Sequence, residues 1–196
     1  MRIGGFHPAS FNNYPGKVAA VIFTQGCNFC CPYCHNVGLI GFDPSPNISE
    51  QDILVRLAQR RGKLAGVVIS GGEPTLQRDL LSFCRVVGEM GFSVKIDTNG
   101  SMPEVLSELF AANVVDYVAM DLKAPLSQYD RLAGLPVDIN SIRRSISLIS
   151  ESGIAHHFRT TVVESLLSCH DLTDIRKLVP AGSSYIVQQF RPVVSL

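Results

Sequence analysis

Four of the six cysteines in this chain fall close together, at Cys27, Cys30, Cys31 and Cys34. A secreted disulfide scaffold spreads its cysteines along a short chain, whereas a tight cluster points to metal or redox chemistry. The spacing of three and then two residues selects Cys27, Cys31 and Cys34. One loop with that spacing can wrap three thiolates around three corners of a cubane iron–sulfur cluster. Three ligands leave one iron open, much as a catalytic zinc keeps an open position. Cys30 adjoins Cys31, so its side chain is expected to point away, and it reads as a bystander. The competing assignment is a structural zinc, with Cys30 or His35 as fourth ligand. A zinc knuckle takes its second ligand pair from a distant segment, and the sequence offers no such pair. Cys84 and Cys169 are isolated and read as small apolar residues.

Other chemistry-bearing residues fall at the ends of apolar runs. Gly71-Gly72 follows Ser70 and lets backbone approach a ligand closely, while Glu73 can accept hydrogen bonds from an ammonium. Asp97 and Asp121 could together hold a hard cation through oxygen, or cap helices. Lys123 beside Asp121 reads as an ion pair or as a partner for a ligand carboxylate. His35 directly follows Cys34 and reads either as a donor near the metal or as a loop histidine bonded to backbone. His156-His157 opens an apolar run and reads as structural.

The elements that must position these residues are short β-branched runs alternating with amphipathic stretches. Strands are expected at Val18–Thr24, Gly66–Ser70, Ser93–Thr98, Tyr117–Leu122, His157–Val163 and Tyr185–Phe190. Helices are expected at Ser49–Arg61, Leu76–Met90, Pro103–Ala112, Ile139–Ser152 and Leu172–Leu178. Asn47 and Ser49 are cap candidates for the first helix, and Pro103 suits a first turn because its missing N–H does no harm there. The runs GVVIS and VAMDL are continuously apolar, as in a parallel sheet covered by helices. Six βα units are too few for a closed eight-fold barrel and suit an α/β fold built as an open, partial (β/α)6 barrel of parallel strands. Chemistry in such folds collects at the C-terminal strand ends, where Cys27, Glu73, Asp97, Asp121 and Lys123 fall.

At 196 residues the chain suits one domain, 1–196. Lys+Arg and Asp+Glu are both 17, so no nucleic-acid or membrane-surface partner is expected. No signal-peptide core or spanning apolar run is visible, and a cytoplasmic location is expected.

Together the motifs name a family. Cys27/Cys31/Cys34 as CxxxCxxC, with Tyr33 before the last cysteine, and Gly71-Gly72-Glu73-Pro74 resemble the radical S-adenosylmethionine (SAM) superfamily. Cys34-His35-Asn36, Asp97-Thr98-Asn99-Gly100 and Asp121-Leu122-Lys123 resemble the glycyl-radical-enzyme activases within it. Tyr14-Pro15-Gly16-Lys17-Val18-Ala19 and Gln188-Gln189-Phe190-Arg191-Pro192 resemble the activating proteins of anaerobic ribonucleoside-triphosphate reductase. Two positions depart from that pattern, Cys30 where a basic residue is common and Asn13 where an acidic one is.

The resemblance implies a radical SAM fold and a catalytic [4Fe-4S] cluster on Cys27, Cys31 and Cys34, with SAM on the fourth iron. It implies that Gly71, Gly72 and Glu73 line the methionine amino group and that Lys123 pairs with the SAM carboxylate. It places a monovalent cation at Asp97, Thr98 and Asp121, and makes Arg159 and Arg191 candidates for contacts to SAM or a partner peptide. The implied activity is reductive SAM cleavage, giving a 5′-deoxyadenosyl radical that generates a glycyl radical on anaerobic ribonucleotide reductase. The implied electron donor is a flavodoxin or ferredoxin. Two other readings stand beside it: a radical SAM enzyme with a small organic substrate, and a non-catalytic zinc-binding interaction module.

Overall fold

The computed structural model describes residues 1–42 and 48–191. Its frame is one seven-stranded sheet whose spatial order follows the chain: β1 (Ile3–Ser10), β2 (Ala19–Thr24), β3 (Gly66–Gly71), β4 (Ser93–Thr98), β5 (Tyr117–Asp121), β6 (Ala155–Val162) and β7 (Ser184–Gln189). β2 to β7 are all parallel, with in-step registers such as Ile22↔Ile69 and Met120↔Phe158. This is the α/β arrangement expected from six parallel strands. β1 adds an antiparallel edge to β2 that the sequence reading did not include. The sheet does not close on itself, since β1 and β7 end the order.

Six α-helices follow the strands: α1 (Glu50–Ala58), α2 (Leu80–Glu89), α3 (Pro103–Ala111), α4 (Tyr129–Ala133), α5 (Ile139–Glu151) and α6 (Cys169–Leu178). Ser49 caps α1 by accepting from the Asp52 N–H at 3.0 Å. The other cap candidate, Asn47, lies outside the described residues. Pro103 opens α3 as its first-turn residue. The expected helix from Leu76 instead begins as a 3-10 turn at Pro74–Leu76, and α2 starts only at Leu80.

Alternation along the strands sorts side chains onto two faces. Val67, Ile69, Val94, Ile96, Val118 and Met120 join the helical residues Leu57, Phe83, Leu106 and Ile149 in one buried core. Each large apolar side chain buried there contributes roughly 1.5–3 kcal/mol. The opposite, inward face begins apolar, with Ala19, Val21 and Val68 packed on Tyr14. Along β4, β5 and β6 that face turns polar, carrying Lys95, Asp97, Asp121, His157 and Arg159, which interact with one another. The polar layer leads to the C-terminal strand ends, where the cysteine loop lies.

Candidate active site

The cysteine loop leaves β2 and is tied down from several sides. Gly26 N–H donates to the Leu39 carbonyl at 2.8 Å and Cys27 N–H to the Ile40 carbonyl at 3.0 Å. Cys30 N–H donates to the Ala133 carbonyl at 2.7 Å, which seats the loop on the end of α4. Gly134 makes that seat possible: its φ is +76°, and a Cβ there would run into the Cys30 carbonyl. Asn28 is the lateral tie. Its Nδ2 donates to Ser101 Oγ at 2.8 Å, and its Oδ1 accepts from Asn99 Nδ2 at 2.9 Å.

The end of β3 passes directly beneath the loop. Gly72 N–H donates to the Thr24 carbonyl at 2.9 Å, and Glu73 N–H to the Gly26 carbonyl at 2.8 Å. A Cβ on Gly72 would collide with the Gly26 carbonyl, so the strand end and the cysteine loop approach as only glycine allows. Glu73 is 1% exposed. Its Oε1 accepts from the Thr75 N–H (3.1 Å), the Thr75 hydroxyl (2.5 Å) and the Thr98 hydroxyl (2.8 Å). Its Oε2 accepts from the Asn99 N–H at 2.7 Å. Glu73 therefore clamps the end of β3 to the end of β4, and through Asn99 and Asn28 to the cysteine loop.

Beside this clamp lies a set of three cations and two carboxylates. Lys95 pairs with Asp97 Oδ1, and Arg159 reaches Asp97 Oδ2 at 3.4 Å. Arg159 Nε also pairs with Asp121 Oδ1, while Lys123 Nζ lies 3.0 Å from Asp121 Oδ2. Burial opposes the charge on Asp121, but Arg159 and Lys123 together outweigh it and hold that carboxyl well below the usual carboxylate range. Asp97 is lowered in the same way by Arg159 and Lys95, against its burial. Burial likewise opposes the Lys123 charge, yet Asp121 more than compensates and keeps it protonated. All four oxygens of Asp97 and Asp121 thus face protein cations. The expectation of a monovalent cation between them is not supported by this arrangement, because the Arg159 guanidinium bridges the two carboxylates.

Cys27, Cys31 and Cys34 line one open cleft at the C-terminal ends of the strands. Gly71, Gly72, Glu73, Asp97, Thr98, Asp121 and Lys123 line the same cleft, as does Arg159. Burial pushes the Cys27 thiol up to about 11 and raises the Cys31 thiol as well, so without metal both are protonated at neutral pH. Cys30 is exposed and does not line the cleft. Arg191 enters through its backbone: its carbonyl lies 2.8 Å from His35 Nε2, and Phe190 stacks on the His35 ring at 4.8 Å. His35 thus bonds backbone, one of the two roles open to it. Pro192 lies outside the described residues. Among the described residues, no three His, Cys, Asp or Glu side chains gather where one ion could sit.

Three contributors escaped the sequence reading. Asn28 gave only loop composition as a signal, Asn99 stood in the Asp97–Gly100 motif without a role of its own, and their pairing spans two distant segments. Lys95 did leave a trace, since it sits two residues before Asp97 and alternation places both on one face.

Comparison with known proteins agrees with this architecture. Residues 21–167 match the Radical SAM superfamily. The chain is 38% identical over 97% of its length to a Methanocaldococcus jannaschii protein named "putative glycyl-radical enzyme activating enzyme", and spans 80% of that protein. Among solved structures, Streptococcus suis SuiB bound to the precursor peptide SuiA superimposes with a TM-score of 0.66 at 18% identity. That match covers 87% of this chain and 39% of SuiB. The enzyme anSMEcpe with bound AdoMet gives a TM-score of 0.65 at 16% identity, covering 85% of this chain and 49% of its own. The chain belongs to the radical SAM superfamily, which implies a [4Fe-4S] cluster and SAM as its cofactors. No helix among the described residues is long and apolar enough to cross a membrane.

Proposed function

We propose that this protein is a glycyl-radical-enzyme activase whose partner is an anaerobic ribonucleoside-triphosphate reductase. One observation carries the radical chemistry: Cys27, Cys31 and Cys34 share a single cleft with the Gly71-Gly72-Glu73 strap and Lys123. The 38% identity to a relative named for glycyl-radical enzyme activation supports the activase assignment. The reductase rests on the Tyr14–Ala19 and Gln188–Pro192 sequence motifs, and residues 1–196 are read as one radical SAM domain in the cytoplasm.

A cluster held there would supply one-electron reduction of the SAM sulfonium, and with it the means to remove a hydrogen atom from a glycine α-carbon of the partner. The chain's own residues bind and orient. Cys27, Cys31 and Cys34 would hold the cluster. The backbone of Gly71 and Gly72, tied down by the Glu73 clamp, would receive the methionine amino end. Lys123, kept cationic by Asp121, would receive the SAM carboxylate. Arg159 holds Asp121 and Asp97 so that Lys123 keeps its direction. The reducing electron comes from a flavodoxin or ferredoxin.

The test is anaerobic reconstitution with iron and sulfide, followed by EPR of the dithionite-reduced protein. A cluster signal that changes shape when SAM is added, and then a glycyl-radical doublet on added reductase, is the expected result. SAM cleavage with no glycyl radical on the reductase would replace the activase reading with a small-molecule one. Retained zinc with no acid-labile sulfide would overturn the enzyme assignment.

A further inference from the structure

We propose that the Tyr33 hydroxyl is a built-in hydrogen-bond donor to the sulfur atoms of the cluster and thereby sets the potential at which the cluster is reduced. This rests on the cluster reading above and adds to it a residue whose role is neither ligation nor SAM binding.

Tyr33 is 8% exposed, and its hydroxyl is the one buried side-chain oxygen or nitrogen with no hydrogen-bond partner among the described residues. A buried hydroxyl without a partner costs about 1–3 kcal/mol. Phenylalanine would fill the same space without that cost, so the hydroxyl calls for an acceptor. The ring lines the same cleft as Cys27, Cys31 and Cys34. Phe190 packs edge-on against it with centroids 6.4 Å apart, and Phe190 is itself stacked on His35.

The groups acting electrostatically on this hydroxyl are Lys123, Cys31, Asp121 and Cys34. Lys123 is a donor only. The carboxylate oxygens of Asp121 are engaged by Arg159 and Lys123. The neighbouring Tyr129 hydroxyl donates to the Asp121 carbonyl at 3.3 Å and accepts from the Lys123 N–H at 3.4 Å. Sulfur remains. In the metal-free chain no thiol sulfur is in hydrogen-bonding position to this hydroxyl, and a cluster held by Cys31 and Cys34 would bring sulfur toward it. Thiolates and inorganic sulfides carry more charge and accept better. Hydrogen bonds to cluster sulfurs are one of the levers by which a protein sets the potential. A donor favours the more electron-rich reduced state, so it moves the potential upward.

The experiment compares wild-type and Tyr33→Phe proteins, both reconstituted anaerobically to equal iron and sulfide, by EPR-monitored redox titration without SAM. At a fixed ambient potential the reduced-to-oxidised ratio should be roughly two- to tenfold lower in Tyr33→Phe, the equivalent of one ordinary hydrogen bond. Installing 3-fluorotyrosine at position 33, a stronger donor, should raise that ratio instead, and it carries the test alone should the phenylalanine variant fail to assemble a cluster. Equal ratios in fully loaded proteins overturn the proposal. A difference that appears only after SAM is added also overturns it, because the hydroxyl would then serve SAM. A wild-type chain that assembles no cluster defeats the proposed function itself, whereas loaded proteins with equal ratios defeat only the role of Tyr33.

Discussion

At the scale of single residues, His157 reports how the inward face is wired. It is 5% exposed and faces Lys95, Arg159, Asp97 and Asp121, with the Tyr117 hydroxyl 3.0 Å from its Nδ1. Burial first, and then Lys95 and Arg159, push its pKa down to about 4. The folded chain keeps this imidazole neutral at a pH where the unfolded chain, titrating near 6.5, already binds a proton. In that window the unfolded state holds more protons, so stability rises with pH and is lost as pH falls from about 6.5 towards 4. The shift corresponds to roughly 3 kcal/mol at full effect. Denaturant unfolding of the metal-free protein at pH 7, 6, 5 and 4 should show this loss, and His157→Asn should flatten the curve over the same interval. A second decline below pH 4, from Asp97 and Asp121, should persist in the variant. An unchanged slope in His157→Asn would mean that another group titrates there.

At the scale of elements, what positions the cysteines is a short helix that the sequence did not advertise. α4 has five residues, Tyr129–Ala133, too few for a 3.6-residue pattern to repeat. Yet its last carbonyl holds Cys30 N–H, and Gly134 behind it leaves room for the Cys30 carbonyl. Gly134→Ala should therefore cost about 1–3 kcal/mol through its left-handed backbone. It should also lower iron and acid-labile sulfide per chain, because the added methyl displaces the loop. Gly62→Ala is the control: φ there is +74° but nothing lies within 4 Å, so it should cost stability and leave iron uptake intact. Equal iron uptake in both variants would show that the α4 seat is dispensable. The long strands were legible because β3 and β5 are buried on both faces and read as unbroken apolar runs. β1 was not, because IGGFHPAS has two glycines and a proline and is a half-exposed edge. α6 begins three residues before the expected Leu172, because Ser168 and Asp171 form a capping box whose acidic member is Asp and not the more familiar Glu. In the site, the cysteine spacing and the glycine strap were local patterns and could be read. The Glu73–Asn99–Asn28 chain and the Arg159 bridge join residues 26 to 71 positions apart, and no local pattern encodes them.

At the scale of the whole molecule, an open barrel must keep its inward face from collapsing where it is not filled with apolar side chains. Near β2 and β3 that face is filled by Tyr14, Val21 and Val68, but across β4, β5 and β6 charge takes over. Arg159 joins three strands there, since it stands on β6 and reaches Asp97 on β4 and Asp121 on β5. Removing one partner of a buried ionic set leaves a charge uncompensated, which costs about 3–5 kcal/mol, whereas removing matched partners together costs far less. Arg159→Leu should therefore destabilise the metal-free protein by about that amount. It should also raise the acid limit of stability, because Asp121 loses a cation that holds its pKa down. Adding Asp121→Asn to Arg159→Leu should recover part of the loss, with a coupling of about 1–3 kcal/mol between the two positions. Denaturant unfolding of the two single variants and the double variant measures this directly. Additive costs would mean that guanidinium and carboxylate are each solvated independently, and the three-strand bridge would then have no energetic reality. A clear coupling would instead make Arg159 the element that keeps the mouth of the barrel in register, so that Lys123 on β5's exit and the cysteine loop above β2 face the same cleft.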